Sequence, residues 1–277
     1  MSTATVIIGE DYMEKLHEVA EKEITRRVDL SKDIFRETVC SIYGVQSEKK
    51  NTHLGSGTLV SWNSNIWLLT ARHLLESGRN ATEFFAVSER CERPITLSRR
   101  FVKSDEETDL AICALNVSES PALVAKPIDA RKFFTYPKPC NGRGIATIGW
   151  PNTKNKIDQY AVIMTPMIVS GPQKTAESLG DDINDDERYV FQKFYEKDAL
   201  DQKGKQINPP KLTGLSGGLT FDLGNPIDPK IISEEAEFSV HPVGICTKYD
   251  PHRRVIRSTR PATFILDVIE SGIPLEV

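Results

Sequence analysis

Ser216 stands in the run Gly214-Leu215-Ser216-Gly217-Gly218, and a serine between glycines is how a nucleophile is presented on a tight turn. Small neighbours let the backbone take unusual dihedral angles and let a substrate carbonyl come close. In such a turn the N–H groups of Gly214 and Ser216 can point into one small space, where a carbonyl oxygen turning negative is stabilised as in an oxyanion hole. A serine hydroxyl needs a general base to attack at neutral pH, and histidine is the usual one. The histidine in turn needs a carboxylate to fix its tautomer and stabilise the imidazolium. Two further stretches supply these types. His73 ends the run Ile66-Trp67-Leu68-Leu69-Thr70-Ala71-Arg72-His73, and Asp109 stands directly before Leu110-Ala111-Ile112. Taken singly, each has a plain structural reading: a glycine-rich loop, one histidine among five, an aspartate at a turn. The set His73, Asp109 and Ser216, in that order, points to acyl transfer through a nucleophilic serine. Asp105, the other nearby carboxylate, lies in the charged run Lys103–Glu107 and reads as solvated.

These residues must be carried by strands. From about residue 37 the chain is a series of short β-rich runs separated by Gly, Asn, Pro and charged clusters. The runs are Thr38–Val45, Gly57–Trp62, Ile66–Thr70, Ala111–Leu115, Ile145–Trp150, Ala161–Val169, Leu219–Phe221 and Val243–Thr247. Many short strands with frequent turns predict an all-β sandwich or barrel. Residues 10–28 differ: Met13, Leu16, Val19, Ala20, Ile24 and Val28 recur at helical spacing. That stretch predicts an amphipathic helix packed on the domain behind it.

Composition narrows the class. Hydrophobic residues at 39% and charged residues at 27% describe a globular chain, and 277 residues suffice for a substantial core. There is no apolar run of 18 residues, so no transmembrane helix is expected. A net charge of −4 argues against a general nucleic-acid binder. Nine acidic residues against three basic ones between Glu177 and Asp201 leave that segment at −6 and the remainder at +2. It reads as a solvated insertion. Cys40, Cys91, Cys113, Cys140 and Cys246 are odd in number and scattered, which argues against a disulfide framework or a zinc site. With no secretory signal in Met1–Glu10, the expected setting is the cytoplasm.

The three chemical stretches resemble the motifs of trypsin-like (chymotrypsin-fold) serine peptidases. Leu69-Thr70-Ala71-Arg72-His73 is similar to the histidine motif, Asp109-Leu110-Ala111 to the aspartate motif, and Gly214–Gly218 to the serine motif. Gly55-Ser56-Gly57 and Ala146-Thr147-Ile148-Gly149-Trp150-Pro151 resemble the bacterial HtrA-like branch, and from the short stretch after residue 270 a member without a PDZ domain is expected. The resemblance covers roughly residues 37–270. It implies an N-terminal helical extension (1–36) and a peptidase domain (37–277) of two β-barrels, roughly 37–130 and 131–270. It also implies a serine endopeptidase that needs no metal or cofactor and acts on protein or peptide substrates. Val243–Thr247 fits the strand lining the substrate cleft, which makes Thr247 and Lys248 candidate substrate-binding residues. Thr247 is expected to hydrogen-bond either Asp109 or the substrate backbone. Pocket-floor residues are expected near Asn208–Lys211, and Lys211 and Lys248 read as solvated.

Departures from the family pattern bear on regulation rather than on the three residues. Leu215 stands where digestive members carry aspartate, Leu219 where proline is usual, no cysteine follows His73, and a long polar loop occupies 224–242. A cytoplasmic peptidase needs restraint, so narrow specificity or a regulatory protein partner is expected, contacting the helix 10–28 or the acidic segment 177–201.

Two other readings compete. Gly214–Gly218 also satisfies the nucleophile elbow of α/β-hydrolases. That fold requires the acid and histidine after the serine amid alternating strands and helices, and the residues after Ser216 show no such alternation. The second alternative is a trypsin-fold binding or regulatory protein with weak or lost catalysis.

Overall fold

The computed structural model describes residues 10–45, 51–78, 80–88, 94–97, 101–115, 126–135, 140–152, 156–157, 162–163, 166–180, 187–195, 211–225 and 241–271. Helix α1 (Glu10–Phe35) runs past Val28 to Phe35. Its inward stripe is Ile24, Arg27, Val28, Ser31 and Phe35, whereas Val19, expected on the apolar face, is exposed. Two polar residues turn inward because each finds a partner. The Arg27 guanidinium donates to the Leu223 carbonyl and pairs with Glu23 at 2.7 Å. Ser31 Oγ donates to the Arg27 carbonyl at 2.6 Å. A buried cation is stable only when paired in this way. Arg26 first, and then Arg27, hold the Glu23 carboxyl down at about 2, against the opposing effect of its burial.

The first sheet is built from β1 (Val39–Val45), β2 (Asn51–Trp62), β3 (Asn65–Ala71), β4 (Glu83–Val87), β5 (Ile95–Leu97), β6 (Val102–Lys103), β7 (Leu110–Leu115) and β8 (Ile128–Asp129). Its order is β5-β4-β1-β2-β3-β7-β6, antiparallel throughout, with β8 parallel beside β2. The two-residue link between β2 and β3, Asn63-Ser64, has positive φ at both positions (47° and 67°). That is the backbone of a tight hairpin whose twist matches the strands. It fixes the register Trp62↔Asn65 through Thr58↔Leu69. The short helix α2 (Arg72–Ser77) follows β3 directly, so this register also decides where His73 emerges.

After a 3₁₀ turn at Ala130–Phe134, the second half comprises β9 (Gly144–Gly149), β10 (Lys156–Ile157), β11 (Val162–Ile163), β12 (Met167–Lys174), α3 (Ala176–Leu179) and β13 (Tyr189–Lys193). It continues with β14 (Leu219–Gly224), β15 (His241–Asp250), β16 (Val255–Thr259) and α4 (Ala262–Glu270). Six of these strands close a barrel in the order β12-β13-β16-β15-β14-β9. The all-β double-barrel expectation is therefore met by one closed barrel and one sheet that is open among the described residues. Strand β13 corrects the reading of 177–201 as a solvated insertion. Tyr189, Val190, Phe191 and Gln192 are buried in the barrel wall, and flanking charges hid them in the sequence. Asp181, Asp182, Asp185, Asp186, Glu196, Asp198 and Asp201 lie outside the described residues.

The two halves share one apolar cluster. It includes Phe35 of α1, Val39 and Leu69 of the first sheet, Trp150, Phe221 and Ile245 of the barrel, and Phe264 and Ile265 of α4. Trp150 is fully buried and its Nε1–H donates to the Val39 carbonyl at 3.0 Å, tying the end of β9 to β1. Each such side chain contributes about 1.5–3 kcal/mol on burial. The join between the halves is thus core, and a site built across it is held firmly. Cys40, Cys113 and Cys246 are buried thiols and Cys140 is an exposed one, with no disulfide among the described residues. No helix among the described residues is long and apolar enough to cross a membrane.

Candidate active site

His73 sits in the first turn of α2, where backbone N–H groups lack partners within the helix. Asp109 supplies the missing acceptor. Its Oδ1 accepts from the His73 N–H at 2.9 Å, and its Oδ2 lies 2.8 Å from His73 Nδ1. One carboxylate therefore caps the helix and orients the imidazole. Asp109 reaches both groups from a left-handed backbone, φ 54°, at the end of the turn that precedes β7. Its carbonyl also accepts from Arg72 N at 3.0 Å. Aspartate is among the few residues other than glycine that adopt this conformation readily. Asp105 builds the turn: its Oδ1 accepts from Thr108 N at 2.8 Å and its Oδ2 from Thr108 Oγ1 at 3.0 Å. The backbone bond from Thr108, before the other contacts of the turn, lowers the pKa of this carboxyl.

Ser216 arrives from the barrel side. Gly214 and Gly217 have φ of +96° and +84°. A Cβ at Gly217 would fall on the Ser56 carbonyl oxygen, so only glycine allows this approach to β2. Strand β2 holds the turn from the first sheet. Ser56 N–H donates to the Ser216 carbonyl at 2.8 Å, Ser56 Oγ–H to the Gly214 carbonyl at 2.7 Å, and Thr58 Oγ1–H to the Gly217 carbonyl at 3.1 Å. Ser56 Oγ also accepts from Trp150 N–H at 2.8 Å. From below, Leu215 packs among Met167, Val169, Phe194, Cys246 and Ile256 and is 1% exposed.

The backbone donors divide into two groups. Leu215 N–H bonds the Leu212 carbonyl, Gly217 N–H the Cys246 carbonyl, and Gly218 N–H the Leu215 carbonyl. The N–H groups of Gly214 and Ser216 have no acceptor among the described residues. Their directions follow from peptide planarity, because N–H and C=O point oppositely across a trans bond. The Thr213 carbonyl accepts from Asn152 N–H at 2.9 Å, so Gly214 N–H points away from Asn152. The Leu215 carbonyl is held by Gly218 N–H, so Ser216 N–H points away from Gly218.

His73, Asp109 and Ser216 line a single cleft of about 480 Å³, together with Arg72, Thr247 and Lys248. His73 is 40% exposed and Asp109 only 13% exposed, so the imidazole faces the cleft and its partner lies behind it. Thr247 Oγ1 pairs with Thr259 Oγ1 at 3.1 Å, and no bond from it to Asp109 is found among the described residues. Lys248 is exposed on the cleft wall. Lys211 is exposed as well, and residues 208–210 of the expected pocket floor lie outside the described residues. Strand β15 pairs with β14 only as far as Ile245, whereas Lys248, Tyr249 and Asp250 pair with β16 alone. On its other edge Cys246 still bonds the serine turn, accepting from Gly217 N–H at 2.7 Å and donating its N–H to the Gly218 carbonyl at 2.8 Å, and only from Thr247 onward does this edge open beside Ser216. Cys246, buried beneath the turn, has its thiol pushed up to about 12 by burial and is chemically inert.

Ser56 and Asn152 have structural roles at the serine turn that the sequence reading did not assign. The available signals were Gly55-Ser56-Gly57 and the residue following Trp150-Pro151. No metal-binding cluster of His, Cys, Asp or Glu occurs among the described residues.

Among solved structures, the chain resembles the apo protease domain of MamO from Magnetospirillum magneticum. That likeness has 12% identity, covers 84% of this chain and 95% of that one, and has a TM-score of 0.46. A second similar chain comes from work on the aromatic interactions that drive coupled folding and binding of the intrinsically disordered Sesbania mosaic virus VPg protein. It is 14% identical, with 81% of this chain and 89% of that one covered and a TM-score of 0.45. No curated protein matches the sequence. The family model for trypsin matches residues 38–200, more than half of the chain and the part that carries His73 and Asp109. On that match, with one closed barrel and a second sheet meeting at the cleft, the chain belongs to the trypsin family.

Proposed function

We propose that the chain is a serine endopeptidase in which Ser216 is the nucleophile, His73 the general base and Asp109 the group that orients it. The observation that carries this reading is the double contact of the Asp109 carboxylate with His73, facing Ser216 across one cleft. With Nδ1–H donated to Asp109, the lone pair of His73 is on Nε2, toward the cleft. His73 Nε2 takes the proton of Ser216 as Oγ attacks the peptide carbonyl, and the N–H groups of Gly214 and Ser216 receive the oxyanion. The same imidazole then protonates the leaving amine. Water, deprotonated by His73, releases the acyl group from Ser216. An extended substrate pairs with the open edge of β15 at Thr247 and Lys248, by strand addition.

Gly55-Ser56-Gly57 and Ala146–Pro151 favour the HtrA-like branch within the family. The absence of a disulfide among the described cysteines accords with a cytoplasmic setting, in which narrow specificity or a regulatory partner restrains the enzyme. The test is labelling of the purified protein by a fluorophosphonate, alongside a peptide-library cleavage profile. Labelling that disappears in Ser216→Ala supports the reading. A wild-type protein that neither labels nor cleaves any peptide refutes it, and leaves a binding protein on a peptidase fold.

A further inference from the structure

Outside the residues that line the cleft, a line of polar groups crosses from the first sheet to the barrel. Ser41 on β1 and His53 on β2 are joined by Ser41 Oγ and His53 Nε2 at 2.6 Å. His53 Nδ1 meets Asn152 Oδ1 of the segment after β9. Asn152 N–H donates to the Thr213 carbonyl at 2.9 Å, and the other end of that peptide is the Gly214 N–H. A Cβ at Gly214 would fall on Asn152 Oδ1, so the asparagine side chain also packs against the Gly214 Cα.

The proton inventory is complete with a neutral ring. Asn152 Oδ1 accepts only if His53 Nδ1 carries the hydrogen, and His53 Nε2 then accepts from the Ser41 hydroxyl. The imidazole and the Tyr43 ring form a T-shaped pair, with centroids 5.0 Å apart at 70°. Burial lowers the pKa of His53, in accord with the neutral form. The imidazole is thereby fixed by two hydrogen bonds and a ring contact, and Asn152 is fixed by the imidazole.

Resting on the peptidase reading above, we infer that His53 and Asn152 are positioning residues for the oxyanion. They hold the Thr213–Gly214 peptide with its carbonyl on Asn152 and its N–H turned to the cleft. Rotation of that peptide would break the bond to Asn152 and put a carbonyl oxygen where the Gly214 N–H now points. Neither residue lines the cleft, so their effect falls on the transition state and not on substrate capture.

The experiment uses the full chain as wild type, Asn152→Ala, His53→Leu and His53→Asn, each checked for folding by near-ultraviolet circular dichroism. His53→Asn places an amide N–H where Nδ1–H stands and so restores the bond to Asn152. Two quantities are read: the second-order rate of Ser216 labelling by a fluorophosphonate, and kcat and KM on a cleaved peptide. Removing one oxyanion donor outright costs about 10²–10³ in kcat. A donor left in place but misaligned should cost less, on the order of 10–100-fold. Asn152→Ala and His53→Leu should lose that factor in labelling and kcat with KM within about threefold, and His53→Asn should recover most of it. If the wild type labels and the folded Asn152→Ala labels equally fast, the inference is wrong while the peptidase reading stands. A loss that falls mainly on KM, or that His53→Asn does not relieve, overturns it as well. A wild type that never labels overturns both. Should His53→Leu fail to fold, Asn152→Ala and His53→Asn still decide the matter.

Discussion

Replacing Asp109 by asparagine tests the proposed base more sharply than removing the serine, because the geometry dictates which way the new amide must lie. Both carboxylate oxygens are occupied by donors on the same residue: His73 N–H at 2.9 Å on Oδ1 and His73 Nδ1 at 2.8 Å on Oδ2. The backbone N–H is a fixed donor, so the amide oxygen must face it. The amide nitrogen then faces Nδ1 and donates to it, which drives the imidazole proton to Nε2. A ring protonated at Nε2 cannot accept the Ser216 proton. The equivalent tautomer error in a serine-peptidase triad lowers kcat about 10⁴-fold, or roughly 5.5 kcal/mol of barrier at 1.36 kcal/mol per decade. The N–H cap survives, so folding should change little. The control is Asp105→Asn. There an amide still accepts from Thr108 N–H and can donate to Thr108 Oγ1, so activity should stay within about threefold and stability within about 1 kcal/mol. The assay is kcat on a cleaved peptide or, before one is known, the fluorophosphonate labelling rate, with thermal melts alongside. Equal losses in the two variants, or a greater loss in Asp105→Asn, would refute the assignment of Asp109.

Ser56→Ala strips the buried Trp150 N–H and Gly214 carbonyl of a shared partner; it should cost about 2–4 kcal/mol in urea unfolding and lower kcat more than KM. Leu215→Ala should cost about 2–5 kcal/mol by the same measurement, because it empties a fully enclosed site under the serine turn. Since Leu215 offers no carboxylate to a buried ammonium, the enzyme should keep its labelling rate with an uncleavable folded tag before Met1; labelling that requires a newly cut N-terminus contradicts this. Arg27→Met should loosen α1 from the barrel. Glu23, held at about 2 against an ordinary 4.5, stabilises the fold fully above pH 4.5 and loses that effect as pH falls toward 2. The gap in melting temperature between wild type and Glu23→Gln should accordingly close across that window, and a gap independent of pH would show that the charge is not what matters.

What could be read from the residues alone was local. Short β-rich runs identified parts of β1, β2, β3, β7, β9, β14 and β15, because no charge falls inside the runs themselves; Asp222 of β14 and Lys248 and Asp250 of β15 lie just beyond the stretches Leu219–Phe221 and Val243–Thr247. The glycines around Ser216 announced a strained turn for the same kind of reason, since only glycine enters that φ region without cost. Where a buried face is made of polar groups with partners, the pattern misled. Arg27 and Ser31 turn inward on α1 because Leu223, Glu23 and the Arg27 carbonyl receive them, and those acceptors lie far away or a helical turn back. Strand β13 was masked by acidic neighbours, although its own five residues suit a barrel wall. Only the tertiary structure decided how the serine turn is held. Ser56, Thr58 and Asn152 act through hydrogen bonds to backbone carbonyls, and a carbonyl has no identity in the sequence. Any residue type can present one, and which one lies within 3 Å of a given hydroxyl depends on how two sheets close over a shared core.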